Sequence, residues 1–247
     1  MARVSLTKKY SGSTLGVIWA FVRPTMYYLV YWFAISVGIR GSRELHGIPF
    51  AFWLMPGITA WFFIADVINI SGVSIIKNKH LVTKMVYPKE TIPTSEVLAN
   101  FFVHLVMLGV VTVIFLVLGF GLSIYYLQLP YYILCCLSFC LALSFLLSAL
   151  TAISKDFRHA LKSGVTLLFW LTPILWAIEK IGSPLKQIVK LNPLTYLVSG
   201  YRNCFVNEVW FFQEWRYALY FWGVTIVLAL LAAFVFNKLK DEFADVI

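Results

Sequence analysis

Charge is scarce in this sequence. Only 13% of its 247 residues are Asp, Glu, Lys or Arg, while 61% are hydrophobic and the mean hydropathy is +0.83. Soluble domains carry roughly 25% charged residues, so a soluble core of this length is excluded and an integral membrane protein is implied. Segments of about ten residues with period-two alternation are also missing, and the apolar runs are continuous. The expected class is therefore an all-α membrane protein rather than a β-barrel. Acidic residues are the scarcest of all, 11 against 20 Lys and Arg. The resulting formal charge of +9 is scattered at the ends of apolar runs instead of forming a patch. That is the topological signature of a membrane protein, and nucleic acid is not an expected partner.

Cysteine is equally sparse. Cys135, Cys136 and Cys140 share one apolar run and Cys204 stands apart, which gives no disulfide framework. Cysteine in such a run behaves as a small hydrophobe. The Cys136/Cys140 pair has helical spacing but no flanking His or carboxylate, so no metal site is expected. The chain lacks G-x-x-x-x-G-K-[ST], the loop that cradles nucleotide phosphates, and also lacks G-x-S-x-G and H-E-x-x-H. Its histidines, His46, His80, His104 and His159, fall on different segments. No catalytic residue and no cofactor are expected in this chain. Near the start there is no short apolar core with a small-residue cleavage site, so the first residues are expected to stay in the cytoplasm.

What is present is a series of apolar runs. Residues 5–19 read as a basic, weakly amphipathic segment suited to an interfacial helix or to an extension of the first span. Pro24 is placed to begin that span, over about 25–39, with Arg23 snorkelling. A polar loop, 40–46, precedes a second span at 48–76. Then comes a charged interruption, 77–93, holding Lys77, Lys79, Lys84 and Lys89 but only Glu90 as an acid. The third span is read at 95–119, with Glu96, Asn100 and His104 in its first turns, and the fourth at 131–153. A polar, basic loop at 154–162 leads to a fifth span at 163–178, interrupted by Pro173. Residues 179–215 are semi-apolar, with pieces far short of the ~20 residues that a span needs. They read as two short re-entrant or interfacial helices. The sixth span is expected at 217–236.

Six spans place both termini on one side. With the termini inside, the inner segments hold thirteen Lys and Arg and the outer ones seven. The positive-inside rule then puts 77–93 in the cytoplasm and 179–215 outside.

Asp66 is the only acid read deep within a span. It marks either a functional site or a side chain facing a watery interior or a polar partner. Aromatics make up 17% of the chain. Tyr27, Tyr28, Tyr31, Trp32, Trp53, Trp61, Trp170 and Trp176 could line a path for sugar rings, whose C–H faces stack on flat aromatic surfaces. The alternative is an interfacial belt with ordinary packing.

Four stretches together resemble the permease subunits of the second type of ABC exporter, which serve polysaccharides and polyol phosphates. The likeness rests on Tyr10, Ser13, Leu15, Gly16, Trp19 and Pro24 in KKYSGSTLGVIWAFVRP. It continues through Asn78, Lys84, Tyr87, Pro88, Lys89, Pro93 and Asn100 in NKHLVTKMVYPKETIPTSEVLAN. It includes Asp156, Arg158, Thr172 and Pro173 in KDFRHALKSGVTLLFWLTPILW, and Asn192, Pro193, Tyr201 and Arg202 in LNPLTYLVSGYRNCF. It covers essentially the whole chain.

The resemblance implies a single permease domain, 1–247, in the inner membrane. It implies a second copy of the chain, two cytoplasmic ATPase subunits holding ATP and Mg, and an undecaprenyl-type lipid-linked glycan as substrate: O-antigen, capsule or teichoic acid. Residues 77–93 become a coupling helix that ends at Pro88, with Lys77, Lys79, His80, Lys84, Tyr87, Pro88, Lys89 and Glu90 toward the ATPase. An N-terminal helix, 1–22, contributes Tyr10, Ser13, Leu15, Trp19 and Arg23 to a lateral gate. Tyr27, Tyr31, Trp32, Trp61, Asp66, Trp170 and Trp176 line the path. Lys155, Asp156 and Arg158 form a further ATPase or pyrophosphate contact. Asn192, Pro193, Tyr201 and Arg202 belong to an external re-entrant region, 180–215. A drug exporter of the same fold, a membrane glycosyl- or acyltransferase, and a secondary transporter are the competing readings. The last should show inverted repeats, and none is visible.

Overall fold

The structure is a computed structural model that describes residues 16–34, 44–45, 47–84, 87–121 and 123–243. Nearly all of these residues are helical, as continuous apolar runs demand when backbone groups must be paired without water. A turn of 3-10 helix at Gly16–Ile18 leads directly into α1, Trp19–Phe33. Pro24 is therefore the sixth residue of α1 and does not open it. Residues 1–15, with Tyr10, Ser13 and Leu15, lie outside the described residues, and so do 35–43.

A two-residue hairpin, β1 (Glu44–Leu45) against β2 (Ile48–Pro49), feeds α2, Phe50–Ile70. Helix α2 contains Pro56, continues through a 3-10 turn at Ser71–Val73 and ends in α3, Ser74–Lys77. The charged interruption then condenses into α4, Lys79–Lys84, only six residues long. The next helix, α5, runs Thr91–Val117, so Pro93 sits inside its first turn rather than closing the coupling segment. The turn before α5 is made by the Pro88 carbonyl, which accepts from Thr91 N (3.1 Å) and Thr91 Oγ1 (2.7 Å). His104 lies well along α5, beyond its first turns.

A 3-10 turn at Ile124–Gln128 enters α6, Leu129–Ile153, whose second residue is Pro130. Proline is tolerated there because the first N–H groups of a helix have no partner inside it. Ser154 is extended (φ −120°, ψ 125°), and the chain turns at once into α7, Lys155–Leu171. The expected loop 154–162 is thus wound into the first turns of a helix. Helix α7 stops before Pro173, because the residue preceding proline is driven out of the helical region; Thr172 has φ −92° and ψ 138°. Helix does not resume beyond the proline, so the expected interrupted span 163–178 is a helix ending at Leu171 followed by irregular chain. Two short helices follow, α8 (Ser183–Lys190) and α9 (Pro193–Arg202), then one π turn at Asn203–Asn207. The last long helix is α10, Trp215–Leu239.

Among the described residues, four helical stretches are long and apolar enough to cross a membrane: Phe50–Lys77, Thr91–Val117, Ile124–Ile153 and Trp215–Leu239. The chain is a multi-pass α-helical membrane protein. Helix α2 is its centre, packed against α5, α9, α6 and α7, while α10 lies along α6. The main core is built from Trp53, Ile58, Ile64 and Val67 of α2 with residues of α5, α6 and α9. A second, smaller cluster of Ile75, Val82, Ile92, Ala152, Phe236 and Phe243 sits at the end where α3, α4, α6 and α10 meet. All four cysteines are buried and free.

Candidate functional site

Two regions bring the singled-out residues together, one at each end of the bundle. At the first end, the charged interruption packs onto the last turns of α6 and α10. Val82 of α4 is buried in the smaller cluster, and Leu81 and Tyr87 pack against it. Lys77, Lys79 and His80 project outward as exposed side chains. Lys89 Nζ donates to the Lys240 carbonyl (2.5 Å), and Lys240 Nζ pairs with Glu90 Oε1 at 3.1 Å. Glu90's own backbone N–H, and then the Lys240 ammonium, hold its carboxyl below the usual carboxylate range. Pro88 is exposed. Lys84 belongs to α4, and its side chain lies outside the description.

The start of α7 is at this same end. Thr151 Oγ1 donates to the Gly72 carbonyl (2.5 Å), and Arg158 Nε donates to the Thr151 carbonyl (3.2 Å). Gly72 lets the start of α7 approach closely: a Cβ there would lie 3.1 Å from Leu161 Cδ1 and 3.4 Å from Leu147 Cβ. Lys155 and Asp156 are exposed and Arg158 is half-buried.

The opposite end is organised by Arg202. Asn192 caps α9 by accepting from Leu194 N at 3.0 Å, with Pro193 in the first turn, the preferred arrangement at a helix start. The Asn192 amide also donates to Thr172 Oγ1 (2.9 Å), tying α9 to the broken end of α7. Arg202, on the last turn of α9, is buried. Its Nη1 and Nη2 donate to the carbonyls of Pro173 (2.6 Å) and Ile174 (2.5 Å). Those carbonyls are exposed as acceptors by the proline break in α7. The guanidinium carbon lies 3.5 Å from the centroid of a Trp53 ring. Gly57, one turn along α2 from Trp53, leaves the room: a Cβ there would be 2.8 Å from Arg202 Nε. Tyr201 is fully buried, and its hydroxyl meets His104 Nε2 at 2.8 Å. His104 stacks on Phe63, with centroids 4.9 Å apart.

Between these ends, some of the candidate lining residues form one band. Phe62 contacts Tyr27 and Tyr31, and Phe169 contacts Tyr31, Trp61 and Trp170, joining α1, α2 and α7. Trp61 is buried within this chain, whereas Tyr27 and Trp170 are exposed. Trp32 is exposed elsewhere on α1, and Trp176 is half-buried in the unwound stretch. Asp66 is half-buried and lines a small cavity with Tyr28, Thr59, Asn100 and His104. Trp19 is exposed at the start of α1, and the side chain of Arg23 lies outside the description.

Residues 1–206 match the ABC-2 type transporter family. The chain belongs to that family. It is similar to the O-antigen export system permease protein RfbA of Myxococcus xanthus, 29% identical over 243 residues, which covers 97% of this chain and 91% of the relative. It is also similar to an RfbA permease of Klebsiella pneumoniae, 28% identical over 244 residues, covering 98% and 91%. ABC-2 membership makes the chain a transport component.

Sequence reasoning overlooked three participants in this ABC-2 chain. Gly57 and Trp53 gave no sign of serving Arg202, because their meeting depends on a long-range contact between α2 and α9. Lys240 was read only as tail charge.

Proposed function

We propose that the chain is the permease of an ATP-binding cassette exporter that moves a lipid-linked polysaccharide across the cytoplasmic membrane. The observation that carries this reading is the extent of the likeness to O-antigen export permeases. It runs over 97–98% of the chain and so includes α10, which lies beyond the family match ending at residue 206. Two separate ATPase subunits supply the energy, binding ATP and Mg in the cytoplasm.

In this reading two copies of the chain enclose the pathway, which suits a protomer with few spans. Helices α1 and α7 have 15 and 17 residues, or about 22 and 26 Å at 1.5 Å per residue, short of the ~30 Å apolar core. They act as the two remaining crossings, completed by neighbouring chain, so both termini face the cytoplasm. Residues 77–93 receive the ATPase stroke through exposed Lys77, Lys79 and His80, with Lys84, Tyr87, Pro88, Lys89 and Glu90 transmitting it to α5 and α10. The residues before α1, with Trp19 and Arg23, form the lateral gate. The aromatic band and Asp66 face the path. Helices α8 and α9 are re-entrant and close the outer mouth, with Arg202 as the clamp.

The test is co-expression with the neighbouring genes followed by affinity purification in mild detergent. An ATPase should copurify in equal amount, and deletion of the permease gene should leave lipid-linked glycan in the inner leaflet. Purification without any ATPase would defeat the reading. ATP-driven flux of small amphiphiles with no glycan movement would replace it with the drug-exporter alternative.

A further inference from the structure

We propose that the small cavity beside Asp66 binds one water molecule, and that this water joins Asp66 of α2 through His104 of α5 to Tyr201 at the end of α9. The cavity measures about 20 Å³, and Tyr28, Thr59, Asp66, Asn100, Val103 and His104 are among its lining residues. A water needs roughly 10–15 Å³ and two to four polar partners, so there is room for one. The demand for it comes from His104. This side chain is only 4% exposed. Its Nε2 is engaged by the Tyr201 hydroxyl at 2.8 Å, while its Nδ1 is buried with no hydrogen-bond partner. Leaving a buried polar nitrogen unpaired is costly, and a water in the cavity pairs it.

The surrounding hydrogen bonds set which way each proton points. Thr59 Oγ1 donates to the Met55 carbonyl (2.6 Å), so in its contact with Tyr28 Oη, also 2.6 Å, the Tyr28 hydroxyl is the donor. Tyr28 Oη therefore keeps its lone pairs for a further donor. With the Tyr201 phenol donating to Nε2, the ring proton of neutral His104 sits on Nδ1. The occupant must then accept one proton from Nδ1 and offer protons to Tyr28 Oη and to a carboxyl oxygen of Asp66, a group that accepts several bonds at once. Water does both, and a metal cation does neither. The completed chain ties α1, α2 and α5 to Tyr201. Asn192 and Arg202 fasten α9 to the broken end of α7, so the Tyr201 chain is a further attachment of α9, on the side of α2 and α5. The inference deepens the export reading, in which Asp66 faces the path and α9 closes the outer mouth, by naming what connects the two. It rests on that reading only for those two roles, because the water and its hold on α9 are measured without transport.

Cryo-electron microscopy of the full-length chain in nanodiscs, at a resolution that shows ordered waters, should place one water within about 3.2 Å of His104 Nδ1. Ordered waters elsewhere in the bundle but none at Nδ1 would overturn the proposal. Val103→Ile adds a methylene to the cavity lining and displaces the water, so it should lower the melting temperature by at least about 2 °C. His104→Gln keeps the bond to Tyr201 through its terminal amide but puts no polar atom at the Nδ1 position. In that background Val103→Ile should cost nothing or raise the melting temperature, because the methylene then fills space that no polar group needs. A rise for Val103→Ile alone, or an equal fall in both backgrounds, would overturn the water site. The density test uses the wild-type chain and decides the matter even where His104→Gln does not fold. Val103→Ile should also speed, several-fold, the alkylation by N-ethylmaleimide of buried Cys204 in the turn that follows α9, read by mass spectrometry of its peptide. An unchanged rate would overturn the link to α9. None of these results depends on export, so a permease with the water in place that moves no glycan would count against the export reading alone.

Discussion

Gly57→Ala offers the sharpest test of the packing around Arg202. The new methyl carbon would stand 2.8 Å from Nε, 2.9 Å from Cζ and 3.0 Å from Nη2. The guanidinium cannot move freely, being held by the Pro173 and Ile174 carbonyls and by the Trp53 ring. Relieving the clash means giving up at least one of these contacts. A hydrogen bond to a charged group contributes about 1.5–3 kcal/mol and a desolvated cation–π contact about 2 kcal/mol. Overpacking of a core commonly costs about 1–3 kcal/mol, so the expected loss is about 2–3 kcal/mol. For a chain of this size that lowers the melting temperature by about 4–12 °C, readable by tryptophan fluorescence in detergent. Arg202→Met removes both donors and is itself destabilising, but it also withdraws the group that the methyl strikes. In that background Gly57→Ala should cost at least about 1 kcal/mol less than alone, since residues in contact are not additive. A wild-type melting temperature for Gly57→Ala, or full additivity in the double variant, would refute the reasoning.

Three further outcomes are expected. Gly200→Ala should be more damaging still, leaving little folded protein by size-exclusion chromatography, because its Cβ would overlap the ring of buried Tyr132. Glu90→Gln should lower the melting temperature slightly at neutral pH, equivalent to less than about 1 kcal/mol for a partly exposed pair. The Glu90 carboxyl is held below its usual range in the folded state. Its contribution is therefore present above the unfolded pKa of about 4.3 and is lost as pH falls through the lower folded value, so the difference between variant and wild type should vanish in acid. Lys84→Glu combined with Tyr87→Ala should leave the permease folded and bound to its ATPase but abolish glycan-dependent changes in ATP hydrolysis. Unchanged transport in that variant would remove the coupling role.

Composition and periodicity were enough to identify a helical membrane protein and most of its long helices, because an apolar run of 25 residues has few other fates in lipid. The two short helices between α7 and α10 were legible because the apolar pieces of 179–215 are too short to span a membrane; the Asn192 cap that starts α9 emerged only with the structure. The segment 154–162 misled because its polarity resembles a loop, whereas charged residues suit a helical end that leaves the membrane. Pro173 was visible, but not that helix would fail to resume after it. The freed carbonyls there are taken by Arg202, some thirty residues later in sequence, and no local pattern encodes that partnership. The clustering of Lys89, Glu90 and Lys240 is hidden for the same reason, since it joins segments about 150 residues apart.

The central claim is that this chain moves a lipid-linked glycan when a partner ATPase turns over. Inside-out membrane vesicles containing both proteins, with labelled lipid-linked polysaccharide on the exposed cytoplasmic leaflet, test it directly. Addition of MgATP should render the glycan resistant to an external glycosidase, and omission of Mg should prevent this. ATP hydrolysis proceeding while the glycan stays fully accessible would contradict the account.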